Sequence, residues 1–204
     1  MNELIDNGVL IYPTDTVWGI GGCILSKENY DQINIIKKIN TNKPVSILFS
    51  CIEHIREYFE LPKKISDDWM ESFFSLETTL GLPLEWAKKE IPSWISQDSD
   101  FVCIRCLQGG FFRDLIGRSK GKAVITTSLN ISGEAPILNK NEAQVFREEH
   151  APNSSIFHSD QLLLSGHSST IVRFLNSQEI HVIRKGQRFA DVLKKLEVLS
   201  ARVL

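Results

Sequence analysis

Long apolar runs are missing from this sequence. No stretch approaches the roughly 20 residues that a membrane-spanning helix needs, so no membrane association is expected. No secretory leader is expected either, since MNELIDNGVLIYP has neither a basic start nor a long apolar centre. An excess of one charge is also absent. Lys and Arg number 23 against 25 Asp and Glu, a formal net charge of −2. With no global basic field to draw in nucleic acid, any anion site must be a local cluster. Cysteine is scarce, and Cys23, Cys51, Cys103 and Cys106 are not spaced as a secreted disulfide framework. The CxxC at 103–106 lies in the strand-like FVCIRCL, where alternation puts its two thiols on opposite faces. No second CxxC or paired histidines accompany it, so no site metal is expected. Reduced thiols in a cytoplasmic protein are the simpler account.

What is present is ordinary globular material: 204 residues, 42% hydrophobic and 24% charged. That length suits one domain with its own core. GVLIYP at 8–13 reads as an early strand stopped by proline. Ser26 caps a helix expected over 27–40, with Tyr30, Ile33, Ile36 and Ile39 at helical spacing. VSILF at 45–49 is a strand. Helices follow at 52–59 and 66–74, then a weak strand at 78–82. Residues 83–100 look irregular. Beyond them come strands at 101–107 and 123–127, with a helix over 111–118 between them. A helix over 141–149 precedes strands near 155–158, 169–175 and 180–184. A final amphipathic helix is expected over 189–204. Strands and helices mingle without a strict βαβ repeat, which points to an α/β fold with a mixed sheet and packed helices. No linker or repeat interrupts 1–204, so a single domain is expected.

Four segments break the packing pattern. YPTDTVWGIGG at 12–22 sets two hydroxyls and a carboxylate after a proline, then three glycines that permit tight turns or close ligand approach. The structural alternative is a turn capped by Thr and Asp. It is no P-loop, because GK[ST] is missing. KKINTNKP at 37–44 ends a helix; its lysines either clamp phosphate as point charges or simply complement the helix dipole in water. TTSLNISG at 126–133 crowds hydroxyls, an amide and a glycine behind a strand. That is either an anion-binding nest or a set of local caps. GHSSTIV at 166–172 pairs with VIRKG at 182–186. Arg184 on an apolar strand needs a partner if buried, either an anionic ligand or a core carboxylate. Arg105 poses the same question, since it shares a strand face with Cys103 and Phe101.

Taken in order, PTDTVWGIG at 13–21, KKINTNKPV at 37–45, FSLETTL at 74–80, CIRC at 103–106, TSLNISG at 127–133, STIV at 169–172 and IRKG at 183–186 resemble the YrdC/TsaC family of threonylcarbamoyl-AMP synthases. The motifs span 8–187, like the short, single-domain type. The resemblance implies a YrdC-like twisted mixed sheet flanked by helices, with a large concave cavity. It implies an enzyme, a nucleotidyltransferase. Such an enzyme condenses L-threonine, bicarbonate and ATP, with Mg²⁺ on the phosphates. The product would pass to a separate tRNA threonylcarbamoyltransferase complex that modifies position 37 of tRNA. A weak direct contact with tRNA stays open. By the same resemblance Lys37 and Arg105 are catalytic. ATP falls to Lys37, Lys43, Ser128, Asn130 and Arg184, and threonine to Thr14, Thr16, Arg105, Thr127 and Ser169.

The chain also departs from the family pattern. Ile39 stands where the family has arginine, and Asn40 where it has proline. SLE at 75–77 replaces a proline-glycine-proline turn. Leu129 replaces an alanine, Trp18 a tyrosine and Arg173 an aspartate. One lost charged contact to phosphate is worth roughly 1.5–3 kcal/mol, for which Lys38 or Arg56 are the candidate replacements. A degenerate module that binds nucleotide or RNA without turnover is the alternative reading. A carbamoyl-adenylate enzyme of the hydrogenase-maturation kind is a third, against which stands the absence of an acylphosphatase or zinc-finger segment.

Overall fold

The computed structural model describes residues 8–39, 45–119 and 121–204. Ten strands among these residues form one sheet, in the order β10-β9-β8-β4-β5-β3-β6-β2-β1-β7. They are β1 Leu10–Pro13, β2 Trp18–Cys23, β3 Ser46–Phe49, β4 Thr78–Pro83, β5 Phe101–Cys106, β6 Val124–Ser128, β7 Ser155–Ile156, β8 Thr170–Phe174, β9 Glu179–Arg184 and β10 Arg202–Val203. The sheet is mixed: β3 runs parallel to β5 and antiparallel to β6, and β4 runs parallel to β8 and antiparallel to β5. The helices are α1 Lys27–Ile36, α2 Ile52–Tyr58, α3 Asp67–Phe74, α4 Ser93–Ser96, α5 Gly110–Gly117, α6 Lys140–His150 and α7 Phe189–Glu197. The expected α/β, twisted mixed sheet with flanking helices is therefore present.

Alternation along the strands divides the molecule into two faces. Leu80 and Leu82, Val102 and Ile104, Ile125, and Val172 and Phe174 join one large core. Tyr30 and Ile33 of α1, Ile52 and Ile55 of α2, Met70 and Phe73 of α3, and Val192 and Leu196 of α7 complete it. The interleaved residues point the other way. There Leu48 and Val124 meet Phe112, Leu115 and Ile116 of α5 in a second, smaller cluster. The same interleaved set supplies Thr79, Arg105, Thr126 and Ser128, which line a cavity instead. A polar residue at every second position is thus the local cause of the site.

Three expectations need correction. The segment 18–23 is a strand, not a turn: β2 pairs with β1 on one side and β6 on the other. Its glycines are not among the residues with positive φ. Gly21 is required by proximity, since a Cβ there would lie 2.0 Å from the carbonyl oxygen of Ile125. Gly21→Ala is expected to destabilise the fold by about 1–3 kcal/mol through overpacking, read as a lowered urea midpoint with an unchanged slope. The second correction concerns α1, which stops at Ile36 rather than 40. Lys38 takes φ +52°, its N–H bonds Ile35 O, and the N–H of Ile39 reaches back to Asn34 O. This is the left-handed termination usually given to glycine. Third, the C-terminal helix covers 189–197 and not 189–204. Ser200, at φ +50°, turns the chain, and Arg202–Val203 adds in parallel to β9. The spacing of Leu199 and Val203 satisfied helix and strand alike.

Candidate functional site

The loop between β1 and β2 carries Thr14, Asp15 and Thr16. Thr14 serves its own turn: its hydroxyl donates to Val17 O at 2.6 Å and accepts from the N–H groups of Thr16 and Val17. The hydroxyls of Thr14 and Thr16 lie 3.1 Å apart. Thr16 Oγ1 also accepts from Arg105 Nη1 at 3.3 Å. Arg105, buried in β5, gives Nη2 to Asp15 Oδ1 at 2.5 Å. Its Nε is buried without a hydrogen-bond partner, so any ligand in the cavity meets the guanidinium through its other N–H groups. The carboxylate that Arg105 needed is therefore Asp15, from a loop 90 residues earlier.

The turn after β6 is built around Asn130. Its Oδ1 accepts from Ser128 Oγ at 2.7 Å and from Lys37 Nζ at 2.8 Å. Its Nδ2 donates to Ile131 O and Glu134 O. Lys37 Nζ also bonds Ser128 O and, at 3.1 Å, Asn130 O. Lys37 O accepts from Ser132 N. Lys37 still has helical backbone angles and lies on the buried face of Tyr30 and Ile33, so it points inward onto the Ser128–Asn130 backbone, where it is only 4% exposed. Gly133, at φ +94°, closes the turn in a conformation that an L side chain resists.

The third wall comes from β4, β8 and β9. Arg184 gives Nε to Ser169 O and Nη2 to Ser169 Oγ, both at 2.9 Å. Ser169 Oγ lies 3.0 Å from Thr79 Oγ1. Register explains the grouping, because Thr79 pairs with Ile171 and Ile171 with Arg184 across three adjacent strands. Arg184 is partnered by a serine and no carboxylate. Its pKa is pulled down, first by burial and then by the positive charge of Arg105. Two guanidinium groups therefore face one space.

That space is a cavity of about 300 Å³, at the low end for small-molecule sites, so the large cavity expected from the sequence is a modest one. Thr14, Thr16, Arg105, Thr127, Ser128, Ser169 and Arg184 all line it. Lys37 and Asn130 stand behind Ser128, joined to it by hydrogen bonds. Lys43 lies outside the described residues. No carboxylate lines the cavity among the described residues, while two guanidinium groups do, in a chain of net charge −2. Of the candidate replacement charges, Arg56 is taken by Asp67 and Ile65 O, and Lys38 is exposed. Arg173 leans over the Phe101 ring and reaches Asp100 at 3.4 Å.

Sequence reasoning missed Asp15 and Thr79 as site residues. For Thr79 a signal existed, since alternation in β4 places it away from Leu80 and Leu82. Asp15 gave none beyond its place between two threonines. Trp18 and His167 also line the cavity. The thiol of Cys103, beside this floor, is pushed up to about 11 by burial, against the opposing pull of Arg184 and Arg173. It is therefore a neutral packing group.

Residues 2–186 match the family described as Sua5/YciO/YrdC, telomere recombination. The threonylcarbamoyl-AMP synthase of Wigglesworthia glossinidia brevipalpis is 27% identical over 186 residues, 91% of each chain. That of Hydrogenovibrio crunogenus is 28% identical over 137 residues, 66% of this chain and 72% of the relative. The crystal structure of P. abyssi Sua5 complexed with L-threonine aligns with a TM-score of 0.75 at 19% identity. It covers 97% of this chain, which in turn spans 55% of that protein. At such identity the likeness is one of fold.

Proposed function

The chain belongs to the Sua5/YciO/YrdC family, and from that membership we propose that it is a threonylcarbamoyl-AMP synthase, a nucleotidyltransferase joining L-threonine, bicarbonate and ATP. The observation that carries the reading is the convergence of Arg105 and Arg184, with the Ser128–Asn130 turn, on one cavity that no described carboxylate lines. Threonine's amine and bicarbonate-derived CO₂ give a carbamate. The carbamate oxygen attacks the α-phosphorus of ATP, and pyrophosphate leaves. Nucleophile and nucleotide are both anionic, so the site's task is to supply fixed positive charge and donors and to hold the reactants in line. Arg105 receives the amino-acid carboxylate through the N–H groups that Thr16 and Asp15 leave free. Arg184 and the Ser128 turn receive phosphate oxygens. Lys37 holds that turn in shape.

The described residues offer Mg²⁺ no cage of their own. Among the described residues no group of three acidic, His or Cys side chains could hold a metal ion, and Asp15 is engaged by Arg105. An ion of this kind is carried by the nucleotide's own phosphates, and no step is assigned to protein ligands of it. No described helix is long and apolar enough to cross a membrane. The proposed setting is the cytoplasm, where a separate transferase would pass the product to position 37 of tRNA.

Pyrophosphate release by the purified chain tests the reading. Release is expected only when L-threonine, bicarbonate and ATP are all present, and omission of any one returns it to background. Binding of ATP with no release under the complete mixture would instead identify a nucleotide-binding module. Release driven by carbamoyl phosphate without threonine would identify a different carbamoyl-adenylate enzyme.

A further inference from the structure

Arg105 meets its ligand with an orientation that something must fix. A guanidinium is a planar fork, and its value in recognising a carboxylate lies in two parallel N–H groups held at the right angle. Thr16 Oγ1, 3.3 Å from Nη1, is a long and weak hold. Asp15, at 2.5 Å from Nη2, is the strong one. Asp15 does not line the cavity, whereas Arg105 does, so the carboxylate grips the guanidinium from behind. The backbone around Asp15 is secured separately: Ser165 N donates to Asp15 O at 3.0 Å and Gly166 N to Thr16 O at 2.8 Å. The side chain is therefore free to act on Arg105 without carrying the loop.

We propose that Asp15 is a positioning residue that sets the plane of Arg105, which lines the cavity, so that the guanidinium N–H groups left over from Asp15 and Thr16 present to the carboxylate of the amino-acid substrate. The proposal rests on reading the cavity as a threonine site.

Steady-state pyrophosphate release tests it, with L-threonine and ATP titrated separately. Asp15→Asn keeps the shape and removes the charge. It is expected to raise the KM for L-threonine by about tenfold, as for a lost charge-assisted hydrogen bond. The KM for ATP is expected to stay within about twofold, because nothing on the Arg184 side changes. Asp15→Glu restores the charge on a longer arm and is expected to recover part of the loss. Equal changes in both KM values, or none in that for threonine, would overturn the role, and so would a glutamate variant no better than asparagine. If Asp15→Asn does not fold, Asp15→Glu alone decides, with a selective rise in threonine KM expected and an unchanged one overturning. The wild type is measured first. If it shows no threonine-dependent release, the proposed function fails; if it does and the variants match it, only the role of Asp15 fails.

Discussion

Replacing Arg105 with alanine is expected to lower kcat/KM for L-threonine by about two to three orders of magnitude, equivalent to about 3–4 kcal/mol. The size follows from burial. Arg105 is 9% exposed, so whatever anion it meets is desolvated, and truncating one partner of a desolvated charge pair is costly. The substitution also strands Asp15, whose carboxylate bonds Arg105 at 2.5 Å, and it removes a donor from Thr16 Oγ1. Part of the loss should therefore appear as a lower Tm. Arg105→Lys separates these effects. It retains the charge but cannot span Asp15, Thr16 and a ligand carboxylate at once, because an ammonium lacks the planar fork. The lysine variant is expected to regain most of the Tm but less than half of the lost activity on a logarithmic scale. Pyrophosphate release as a function of threonine, with thermal unfolding alongside, provides both numbers. A threonine KM untouched by either substitution would remove Arg105 from the amino-acid subsite.

Much of this arrangement could be read from the sequence, and the reasons are local. Alternation in FVCIRC and TTLGL sorts Val102, Ile104, Leu80 and Leu82 toward the core, and the same two-residue period assigns Arg105 and Thr79 to the other face. The density of short polar residues in TSLNISG marks a turn satisfied by its own side chains, and Asn130 does make those bonds. What stayed hidden depends on distant partners. Glycine is depleted from strands, so WGIGGC read as a turn. The need for Gly21 comes from the Ile125 carbonyl more than a hundred positions away, which no local window contains. The pairing of Asp15 with Arg105 joins segments 90 residues apart. The end of α1 was hidden for a different reason. Lysine rarely adopts positive φ, so nothing at Lys38 announces the stop, although the spacing of Tyr30, Ile33 and Lys37 already aims Lys37 inward.

That inward aim gives the second large effect. Lys37→Ala is expected to cut turnover by at least about tenfold, and toward a hundredfold if turn geometry governs phosphate contact. Lysine at a helix end was open to two readings, a phosphate clamp or a solvated charge. Its ammonium instead bonds Ser128 O, Asn130 O and Asn130 Oδ1, which makes it the pin of the turn that presents Ser128 to the cavity. Removing it strips the ammonium from Ser128 O and Asn130 O and leaves Asn130 Oδ1 with only the Ser128 hydroxyl. The cost of unmet buried acceptors is about 1–3 kcal/mol each and not additive. A net loss of about 2–3 kcal/mol would lower Tm by about 5–10 °C in a domain of this size. Activity and stability should therefore fall together, and, with Ser128 as the proposed phosphate contact, the KM for ATP should rise more than that for L-threonine. Lys37→Arg tests the geometry, because a branched guanidinium cannot enter the space of a single ammonium bonded by three converging oxygens, and it is expected to fare no better than alanine. A kcat that drops while Tm holds would make Lys37 a direct phosphate contact. Unchanged kinetics in both variants would show that the Ser128–Asn130 turn stands without it.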